Sequence, residues 1–381
     1  MLHTAAWACA WLSLFGLVQA VVGWLLVRRF LRRKAEAAYP SVSVLKPLHG
    51  DEPLLEAALA SLCAQDYPAF QVVFGLQDRG DPALAVVERL RARFPTVDMA
   101  VVIDPTPHGT NRKVANLINM LPLARYDILI IADSDVHAAP DYLARLAAAV
   151  QAPGLGLVTT LYTGLPASGT LVRRLGAAWI NNTFLPGALL ARAMGRQDCL
   201  GATMALSRAT LERIGGFPAL SDQLADDAML GRRVRAEGLE VALAGTIPAT
   251  TIPETRLLDL FRHELRWART VKSLEPTGFA LSVLQYPLFW AALGVVLAGF
   301  APGAWGLFAL AWFARGLVAH GLDRDLQVEF PLTIWCLPLR DLLSVAVMLA
   351  SYGSDQVTWR GHMHHVSGPA LSRTGLAPGE G

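Results

Sequence analysis

Two carboxylates one residue apart are the strongest chemical signal in this chain. Asp133 and Asp135 directly follow the apolar run Leu129–Ala132, so a strand over that run would deliver both side chains at its carboxyl end. Hard oxygen ligands in this position suit Mg²⁺ or Mn²⁺ bridging a diphosphate. Taken alone, an Asp-x-Asp pair is more often a polar turn after a strand. The interpretation as a metal site therefore depends on what else lies at the same edge.

A second acidic pair follows another apolar run. Asp78 and Asp81 come after the predicted strand Gln71–Gln77, on the same sheet edge, where a carboxylate could accept a hydrogen bond from a uracil ring or a ribose. Asp81 followed by Pro82 also fits a helix N-cap with proline at the first helical position. The two roles are compatible, and Asp78 is the better ligand candidate.

A basic turn and a third acidic pair complete the set. Lys113 ends a polar turn that opens a predicted helix, where Lys113 or free backbone amides could meet phosphate. A solvated charged turn explains this segment equally well. Asp226 and Asp227 lie side by side in an otherwise apolar helix, an arrangement that raises one pKa through desolvation and like charge and suits a general base. The alternative is an N-terminal helical turn whose acids face the helix dipole.

The elements that must position these residues alternate along residues 39–253. Short apolar runs that end in polar turns predict strands, and amphipathic stretches between them predict helices. Such alternation favours an α/β domain with a doubly wound, mostly parallel sheet and a ligand site at the carboxyl ends of its strands. Strands are predicted at Ser41–Lys46, Gln71–Gln77, Met99–Asp104, Asp127–Ala132, Gly156–Leu161 and Glu240–Ala244, and helices at Glu52–Cys63, Ala83–Phe94, Arg112–Leu121, Pro140–Val150 and Asp222–Arg235.

Composition indicates a membrane-embedded part around that domain. Hydrophobic residues make up 53% of the 381 residues and charged residues only 17%, which is more apolar than a soluble domain. Residues 1–28 are predicted to form an N-terminal transmembrane anchor. The cluster of basic residues that follows favours the cytoplasmic side and places the N-terminus outside. This cluster comprises Arg28, Arg29, Arg32, Arg33 and Lys34.

The C-terminal part is predicted to return to the membrane. Residues 254–275 read as an interfacial amphipathic helix, and residues 277–353 as transmembrane segments before a tail over 354–381, disordered from Ser367 onward. The last apolar run contains Arg340 and Asp341, which are costly at bilayer depth unless they pair or the segment is re-entrant. We favour a re-entrant segment with the tail inside. The apolar runs are Phe279–Phe300, Ala304–Leu322 and Phe330–Tyr352.

Charge and cysteine content exclude some other classes of protein. A formal net charge of +2 is too small for a nucleic-acid binder. The four cysteines are scattered along the chain, so neither a disulfide framework nor a zinc site is indicated. No pattern indicates an oligomeric state. A membrane scaffold or transporter is disfavoured because the carboxylates concentrate in the soluble domain rather than in the apolar runs.

The order of these motifs resembles that of processive and lipid-directed family 2 glycosyltransferases. Their pattern of D, DxD, (E/D)D and (Q/R)xxRW is matched by Asp78 and Asp81, Asp133 to Asp135, Asp227, and Arg266 with Trp267. The segments Val44–Gly50, Ala64–Pro68 and Gln77–Ala83 are similar to the ceramide glucosyltransferase group, glycosyltransferase family 21. Leu224–Asp227 and His263–Thr270 look most like the bacterial hopanoid-biosynthesis members, which attach N-acetylglucosamine to bacteriohopanetetrol. His263 stands where the family pattern has Gln or Arg.

This resemblance implies a GT-A-like, nucleotide-sugar-binding sheet and an inverting transfer from a UDP-sugar to a membrane lipid. UDP-GlcNAc and a hopanoid are implied first, with UDP-glucose and ceramide as the alternative. The protein would be a multi-pass protein of a bacterial inner membrane with its catalytic domain in the cytoplasm. A processive synthase is less compatible, because only about four spans are available to enclose a channel.

The resemblance also assigns roles to residues. Asp133 and Asp135 would hold the divalent ion on the donor diphosphate, with Asp135 as the first choice of direct ligand. Asp227 would accept the proton of the lipid hydroxyl, while Arg266 and Trp267 would close over the donor and wall the acceptor pocket. The remaining donor-binding residues would be Lys46, Asp78, Asp81, Lys113 and His263.

Overall fold

A seven-stranded sheet forms the centre of the α/β domain in the computed structural model, which describes residues 2–33, 36–354, 356–359 and 362–365, the last two ranges as backbone. Each of the six predicted strands is present with ends within two residues of the prediction. The strands are β1 (Val42–Pro47), β2 (Phe70–Leu76), β3 (Asp98–Ile103), β4 (Ile128–Ala132), β5 (Val136–His137), β6 (Leu155–Thr159), β7 (Thr163–Pro166), β8 (Thr203–Ser207), β9 (Glu240–Leu243), β10 (Ala249–Ile252), β11 (Gln356–Trp359) and β12 (His362–His365).

The main sheet has the order β3-β2-β1-β4-β8-β6-β9. Strands β1 to β4 pair in parallel, and β9 is parallel to β6. Strand β8 is antiparallel to both of its neighbours, β4 and β6. The mostly parallel sheet is therefore confirmed, whereas β8 was not predicted. Its insertion leaves the end of β4 at a junction between two strand directions.

Helices cover both faces of this sheet. The helices are α1 (Leu2–Leu31), α2 (Leu55–Cys63), α3 (Ala83–Arg93), α4 (Arg112–Met120), α5 (Tyr142–Val150), α6 (Leu171–Trp179), α7 (Leu185–Ala193), α8 (Arg208–Arg213), α9 (Asp226–Ala236), α10 (Leu257–Leu274), α11 (Pro276–Leu281), α12 (Pro287–Leu297), α13 (Pro302–Asp325) and α14 (Leu337–Ser351). Successive residues of a strand point to opposite faces. Accordingly, Ile130 packs in the core beneath α2, α3 and α5, and Leu129 and Ile131 pack in the core beneath α4, α8 and α9.

A helical turn and a small second sheet lie outside the predicted elements and are bonded to each other. A π-helical turn, Ile180–Phe184, joins α6 to α7. The side chain of Asn181 in this turn accepts a hydrogen bond from the backbone N–H of Gly164 at 2.8 Å and donates to its carbonyl at 3.2 Å. Gly164 belongs to a small sheet of order β5-β10-β7. The turn is thereby fixed to β7, the strand that contains Gly164.

The apolar helices agree with the prediction in part. By length and composition, Leu2–Leu31 and Ile334–Ser351 are able to cross a membrane. Pro276–Gln285 and Pro287–Leu297 meet at a bend of 69° and give a third span if they act as one broken segment. The bend thus falls in the first predicted C-terminal apolar run, Phe279–Phe300. The last run, Phe330–Tyr352, was expected to be re-entrant, but it contains a helix that is long and apolar enough to cross a membrane. Helix α13, which covers Ala304–Leu322, does not reach the apolar composition of the other two. The predicted disordered tail lies outside the described residues.

Close glycine contacts fix α1 against the rest of the protein. A Cβ atom at Gly16 would lie 2.5 Å from the carbonyl oxygen of Leu284, and one at Gly23 would lie 2.8 Å from Pro186. Near the C-terminal end of α1, the Trp24 indole N–H donates to Asp325 at 2.7 Å. The N-terminal helix is therefore packed against α7, against α13, and against the bend that precedes α12.

Candidate functional site

Lys113 joins two of the predicted acidic motifs. Its Nζ lies 2.6 Å from Asp133 Oδ1 at the end of β4 and 3.7 Å from Asp226 Oδ2 at the start of α9. Burial alone would lower the pKa of Lys113, but the charges of Asp133 and Asp226 raise it above its usual value. The structure therefore brings the DxD motif and the second carboxylate pair to one place, with a permanent cation between them.

Asn111 holds this junction in place. As the N-cap of α4, its side-chain oxygen accepts from the backbone N–H groups of Lys113 at 2.9 Å and Val114 at 3.1 Å. Its amide nitrogen donates to the Gln223 carbonyl at 2.7 Å and to Asp226 at 3.5 Å. The expectation that these amides are free for phosphate is consequently wrong. Whether Lys113 itself meets a phosphate stays a prediction.

A second cation lies beneath the DxD motif. The ammonium of Lys46, at the end of β1, is buried and donates to the main-chain oxygen of Asp133. Burial lowers the pKa of Lys46 to about 8, although Asp135, Asp133 and Glu52 counteract the effect. Glu52 accepts from the Ser134 hydroxyl at 2.6 Å. Lys46 was predicted to bind the donor, and this stays a prediction; its Nζ supports the loop that carries the two aspartates.

The acidic cluster is electrostatically suited to a divalent cation. Burial, followed by the negative charges of Asp133 and Glu52, raises the pKa of Asp135 above its usual range. A bound cation would relieve this repulsion and favour the ionised form. Among the residues that the structure describes, no three His, Cys, Asp or Glu side chains are arranged to hold an ion by themselves. Two carboxylates with the remaining positions left to diphosphate and water are the usual environment of Mg²⁺ at nucleotide sites, so these residues fit the ion.

Asp227 lies beside this cluster at the first turn of α9. The helix begins at Asp226, not at Asp222 as predicted, so both interpretations of the acidic pair apply at once. A Cβ atom at Gly201 would lie 2.8 Å from Asp227 Oδ2, which shows how closely the backbone approaches this carboxylate. Burial, and then the charge of Asp226, raises the pKa of Asp227 to about 6. A carboxylate with such a pKa can take and release a proton near neutral pH.

A row of aromatic rings runs from the carboxylates to α10. Tyr162 and Phe184 have ring centroids 4.9 Å apart, Phe184 and Trp179 are 5.8 Å apart, and Trp179 stacks on Trp267 at 5.6 Å. Burial raises the pKa of Tyr162, and the charges of Asp227, Asp133 and Asp135 raise it further. One end of the row therefore lies within the electrostatic reach of the acidic cluster. Its other end, Trp267, is the predicted acceptor wall.

His263 and Arg266 lie close to Trp267 in the middle of α10. The His263 ring lies 4.2 Å from the Trp267 ring, and its Nδ1 is hydrogen-bonded to Glu254. Burial would raise the pKa of Glu254, but this hydrogen bond and the nearby charges of His263 and Arg266 hold it below its usual range. The acid thereby orients the imidazole against the indole. A donor contact from His263 stays a prediction, with Nε2 as the nitrogen left to make it.

The other acidic pair takes a structural position at the start of α3. Asp81 accepts from the backbone N–H of Ala83 at 2.9 Å and of Gly50 at 3.0 Å, in agreement with the N-cap interpretation. Asp78 is exposed just after β2 and accepts from the Gly80 N–H at 2.9 Å. Asp81 thus ties the loop after β1 to α3, and Asp78 is the one with a free outer face.

Two residues of the site were missed by the sequence analysis. Glu52 was assigned to a helix, although β1 was predicted to lie in the same sheet as β4, and the residues after parallel strands meet at one edge. Tyr162 follows β6 and had no local signal of any kind. Only the three-dimensional order of β4, β8 and β6 brings it near Asp133.

Comparisons with known proteins identify a family model and individual relatives. The family model described as Glycosyl transferase family 21 matches residues 8–370. Ceramide glucosyltransferase 1 of Caenorhabditis elegans is 22% identical over 73% of this chain and 60% of its own length. An N-acetylglucosaminyltransferase of Rhizobium meliloti is 26% identical over 65% of this chain and 58% of its own length. The chain thus spans less than two thirds of these relatives.

A solved structure that is similar to this chain is a mannosyltransferase from Pyrobaculum calidifontis in complex with GDP-Man and Mn²⁺. It covers 92% of this chain and 99% of its own, with 21% sequence identity and a TM-score of 0.49.

Proposed function

This chain belongs to glycosyl transferase family 21, and from that premise we propose that it transfers a hexose from a UDP-sugar to a hydroxyl group of a membrane lipid with inversion. The proposal is carried by one observation: Lys113 joins the DxD motif to the Asp226 and Asp227 pair. This junction lies at one end of an aromatic row that leads to α10. Carboxylates that would hold a cation on the donor diphosphate are thereby adjacent to an apolar wall for a lipid.

Asp135 and Asp133 would hold a Mg²⁺ or Mn²⁺ ion, which when bound neutralises charge on the leaving diphosphate. Lys46 holds the backbone between these two aspartates in place through its bond to Asp133. Lys113 supplies a second positive charge on the opposite side of Asp133. The protein thus presents fixed charges to the site where negative charge develops, a preorganised arrangement that needs little rearrangement during the reaction.

Asp227 would act as the general base. The lipid hydroxyl attacks the anomeric carbon as its proton passes to the Asp227 carboxylate, the bond from that carbon to the diphosphate oxygen breaks, and UDP leaves. A single displacement inverts the anomeric configuration and requires no covalent sugar intermediate. Asp226 keeps Asp227 basic by its charge and is itself held by Lys113 and Asn111.

Trp267 and Arg266 would form the acceptor side. Trp267 is supported from behind by Trp179 in a stacked pair and beside it by His263. The rigid indole would wall the acceptor chain, and the guanidinium of Arg266 would favour the diphosphate. The remaining donor contacts are proposed for Asp78, whose outer face is exposed, and for His263.

The donor is proposed to be UDP-GlcNAc and the acceptor a hopanoid of the bacteriohopanetetrol type. The N-acetylglucosaminyltransferase relative supports this sugar, whereas the worm relative supports UDP-glucose and ceramide as the alternative. The two are separated by incubating purified protein with a panel of UDP-sugars and bacterial lipid extract or ceramide, followed by mass spectrometry of the lipids. A GlcNAc-hopanoid product is expected. Transfer of glucose to ceramide alone would overturn the choice, and no transfer at all would overturn the proposed activity.

The catalytic domain is proposed to face the cytoplasm of a bacterial inner membrane. The basic cluster after α1 and the cytosolic supply of nucleotide sugars support this orientation. Arg89 lies on α3 with its side chain 56% exposed, so Arg89→Cys introduces an accessible thiol. In intact cells this thiol should resist a membrane-impermeant maleimide and should react after permeabilisation. Labelling before permeabilisation would reverse the orientation.

A further inference from the structure

A small polar pocket lies among the apolar helices. Its polar lining residues are Gln19 on α1, Asn182 and Thr183 in the π-helical turn, Gln285 at the bend before α12, and Arg315 on α13. We call it the Arg315 pocket. None of these residues belongs to the carboxylate cluster, and the proposed mechanism uses none of them.

Two buried polar groups in the pocket are incompletely satisfied. Arg315 is 3% exposed; its Nη2 donates to the main-chain oxygen of Asn182 at 3.1 Å, while its Nε and Nη1 atoms have no partner within the described residues. Asn182 is 6% exposed, and its Oδ1 also lacks a partner there. A buried donor or acceptor without a hydrogen bond costs about 1–3 kcal/mol. A group that enters the pocket and pairs with both would recover this cost.

The orientation of the Asn182 amide is fixed by its neighbour. Its Nδ2 donates to Asp323 Oδ1 at 3.2 Å, and a carboxylate at this position only accepts. The Asn182 oxygen therefore faces the pocket as an acceptor, next to the unpaired Arg315 donors. Asn182 is hydrogen-bonded both to the Arg315 guanidinium and to the Asp323 carboxylate. These opposite charges therefore lie in one hydrogen-bonded group, and a ligand of the pocket does not need a net charge.

A hydroxyl group is the complement of this lining. Its oxygen accepts from an Arg315 N–H while its proton is donated to Asn182 Oδ1. A phosphodiester or an ionised carboxylate has no proton to donate. The cavity is about 20 Å³, which suits one hydroxyl or one water and excludes a whole headgroup. The side-chain amides of Gln19 and Gln285 line the remainder and can pair with either atom of an O–H group.

The position of the pocket selects a lipid as the carrier of that hydroxyl. Gln19 precedes Arg28 by nine residues on α1, which is about 13 Å along a helix, within a hydrocarbon core of about 30 Å. The π-helical turn that supplies Asn182 and Thr183 continues into Phe184, which contacts Tyr162. The Arg315 pocket and the aromatic row therefore share one helical turn.

We propose that the Arg315 pocket binds a hydroxyl group of a membrane lipid. That this lipid is the acceptor, held by a hydroxyl other than the one that reacts, rests on the proposed function. A lipid with several hydroxyl groups would then be anchored at one of them while another faces Asp227. Recognition of a second hydroxyl would restrict the enzyme to polyhydroxylated lipids.

Lipid binding to the full chain in phosphatidylcholine nanodiscs tests the pocket directly. The probes are a ceramide with free hydroxyl groups, bacteriohopanetetrol, and the ceramide with both hydroxyl groups methylated. For the better of the two hydroxylated probes, Gln285→Leu and Arg315→Met should weaken binding about 5- to 100-fold, the equivalent of about 1–3 kcal/mol. Binding of the methylated ceramide should not change. Arg324→Met, on the same helix with its side chain 67% exposed, is the matched control and should bind as the unmodified protein does.

The experiment remains decisive if Arg315→Met does not fold. Gln19→Leu and Gln285→Leu remove no charge from the pocket, and UDP binding measured by tryptophan fluorescence reports an intact domain. Unchanged affinity for both hydroxylated probes in these two variants would overturn the proposal and indicate that the pocket holds water only. Failure of the proposed function is separate: wild-type protein would then bind the lipid in a pocket-dependent manner but transfer no sugar to it.

Discussion

The carboxylate of Glu264 on α10 and the guanidinium of Arg340 on α14 form a bidentate ion pair. The distances are 2.8 Å from Nη1 to Oε1 and 2.7 Å from Nη2 to Oε2, and the side chains are 4% and 3% exposed. Arg340 also donates to the Ser344 hydroxyl at 2.9 Å and to the Leu175 carbonyl at 3.2 Å. The helix that carries Arg266 and Trp267 is thereby fixed to a candidate membrane span.

Breaking this pair should detach α10 from α14. Removing one partner of a buried ion pair costs about 3–5 kcal/mol, because the other charge is left unpaired. Glu264→Met and Arg340→Met should each lower thermal stability strongly, and the Glu264→Met, Arg340→Met double variant should recover much of the loss. The melting temperatures of the detergent-solubilised variants measure this double-mutant cycle. The same cycle at the exposed pair Arg89 and Glu56 is the control. Additive losses in the double variant would contradict the coupling.

Residues around Arg340 show why the membrane part was harder to predict than the sheet. A charged pair in an apolar run was expected to force a re-entrant segment. Arg340 instead pairs with Glu264, 76 residues away, and Asp341 accepts from the backbone N–H of Leu288 at the start of α12. Both partners lie on other helices, so no local pattern reveals them.

The sheet, by contrast, was largely predictable. The apolar run before Asp133 is buried on both faces, as expected for a central strand of the sheet. Strand β8 and Tyr162 could not be predicted in the same way, because the place of β8 depends on its antiparallel pairing with β4 and β6. The local sequence pattern therefore predicted the acidic residues, whereas the position of Tyr162 beside them depends on the tertiary pairing of the strands.

Loss of either carboxylate of the DxD motif should abolish turnover without unfolding the protein. Asp133→Ala and Asp135→Ala remove oxygen ligands at the end of a strand, while the buried strand itself is untouched. Turnover should also stop in EDTA and return on addition of Mg²⁺ or Mn²⁺. Radiolabelled transfer with circular dichroism as the folding control measures both effects. Full activity in EDTA would contradict the metal assignment.

The dependence of turnover on pH should follow the ionisation of Asp227. Because burial and Asp226 raise its pKa to about 6, kcat should fall about tenfold per pH unit below that value as the base becomes protonated. Asp226→Asn removes the adjacent negative charge, which lowers the pKa of Asp227 and should move the acid limb to lower pH. An acid limb that does not move in this variant would assign the titration to another group, such as Asp135.

Gly201 should be intolerant of any side chain, because its backbone lies against the carboxylate of Asp227, the proposed general base. A Cβ atom there would meet Asp227 Oδ2 at 2.8 Å, closer than van der Waals contact. Gly201→Ala should therefore lower kcat by displacing the base and leave UDP affinity little changed. Gly306→Ala, where a Cβ meets no atom within 4 Å, is the matched control. Equal activity of the two variants would show that Asp227 does not need this position.

Asp227, rather than Asp226, should be the residue whose loss stops the chemical step. Asp226 is engaged by Lys113 and by the Asn111 amide, so its carboxylate is committed to holding the junction of α4 and α9. Asp227 Oδ1 accepts a hydrogen bond from the N–H of Ala228, the next residue in the chain, at 2.8 Å, which leaves the other carboxylate oxygen for the lipid hydroxyl.

Asp227→Asn should consequently lose at least about 10²-fold in kcat, the range expected for a positioned general base, with UDP binding retained. Asp226→Glu preserves the charge beside Lys113 and should keep most of the activity. Single-turnover transfer separates the chemical step from product release in both variants. Near-normal kcat in Asp227→Asn, together with an inactive Asp226→Asn enzyme, would reverse the assignment, because the carboxylate held by Lys113 would then be the one that takes the proton.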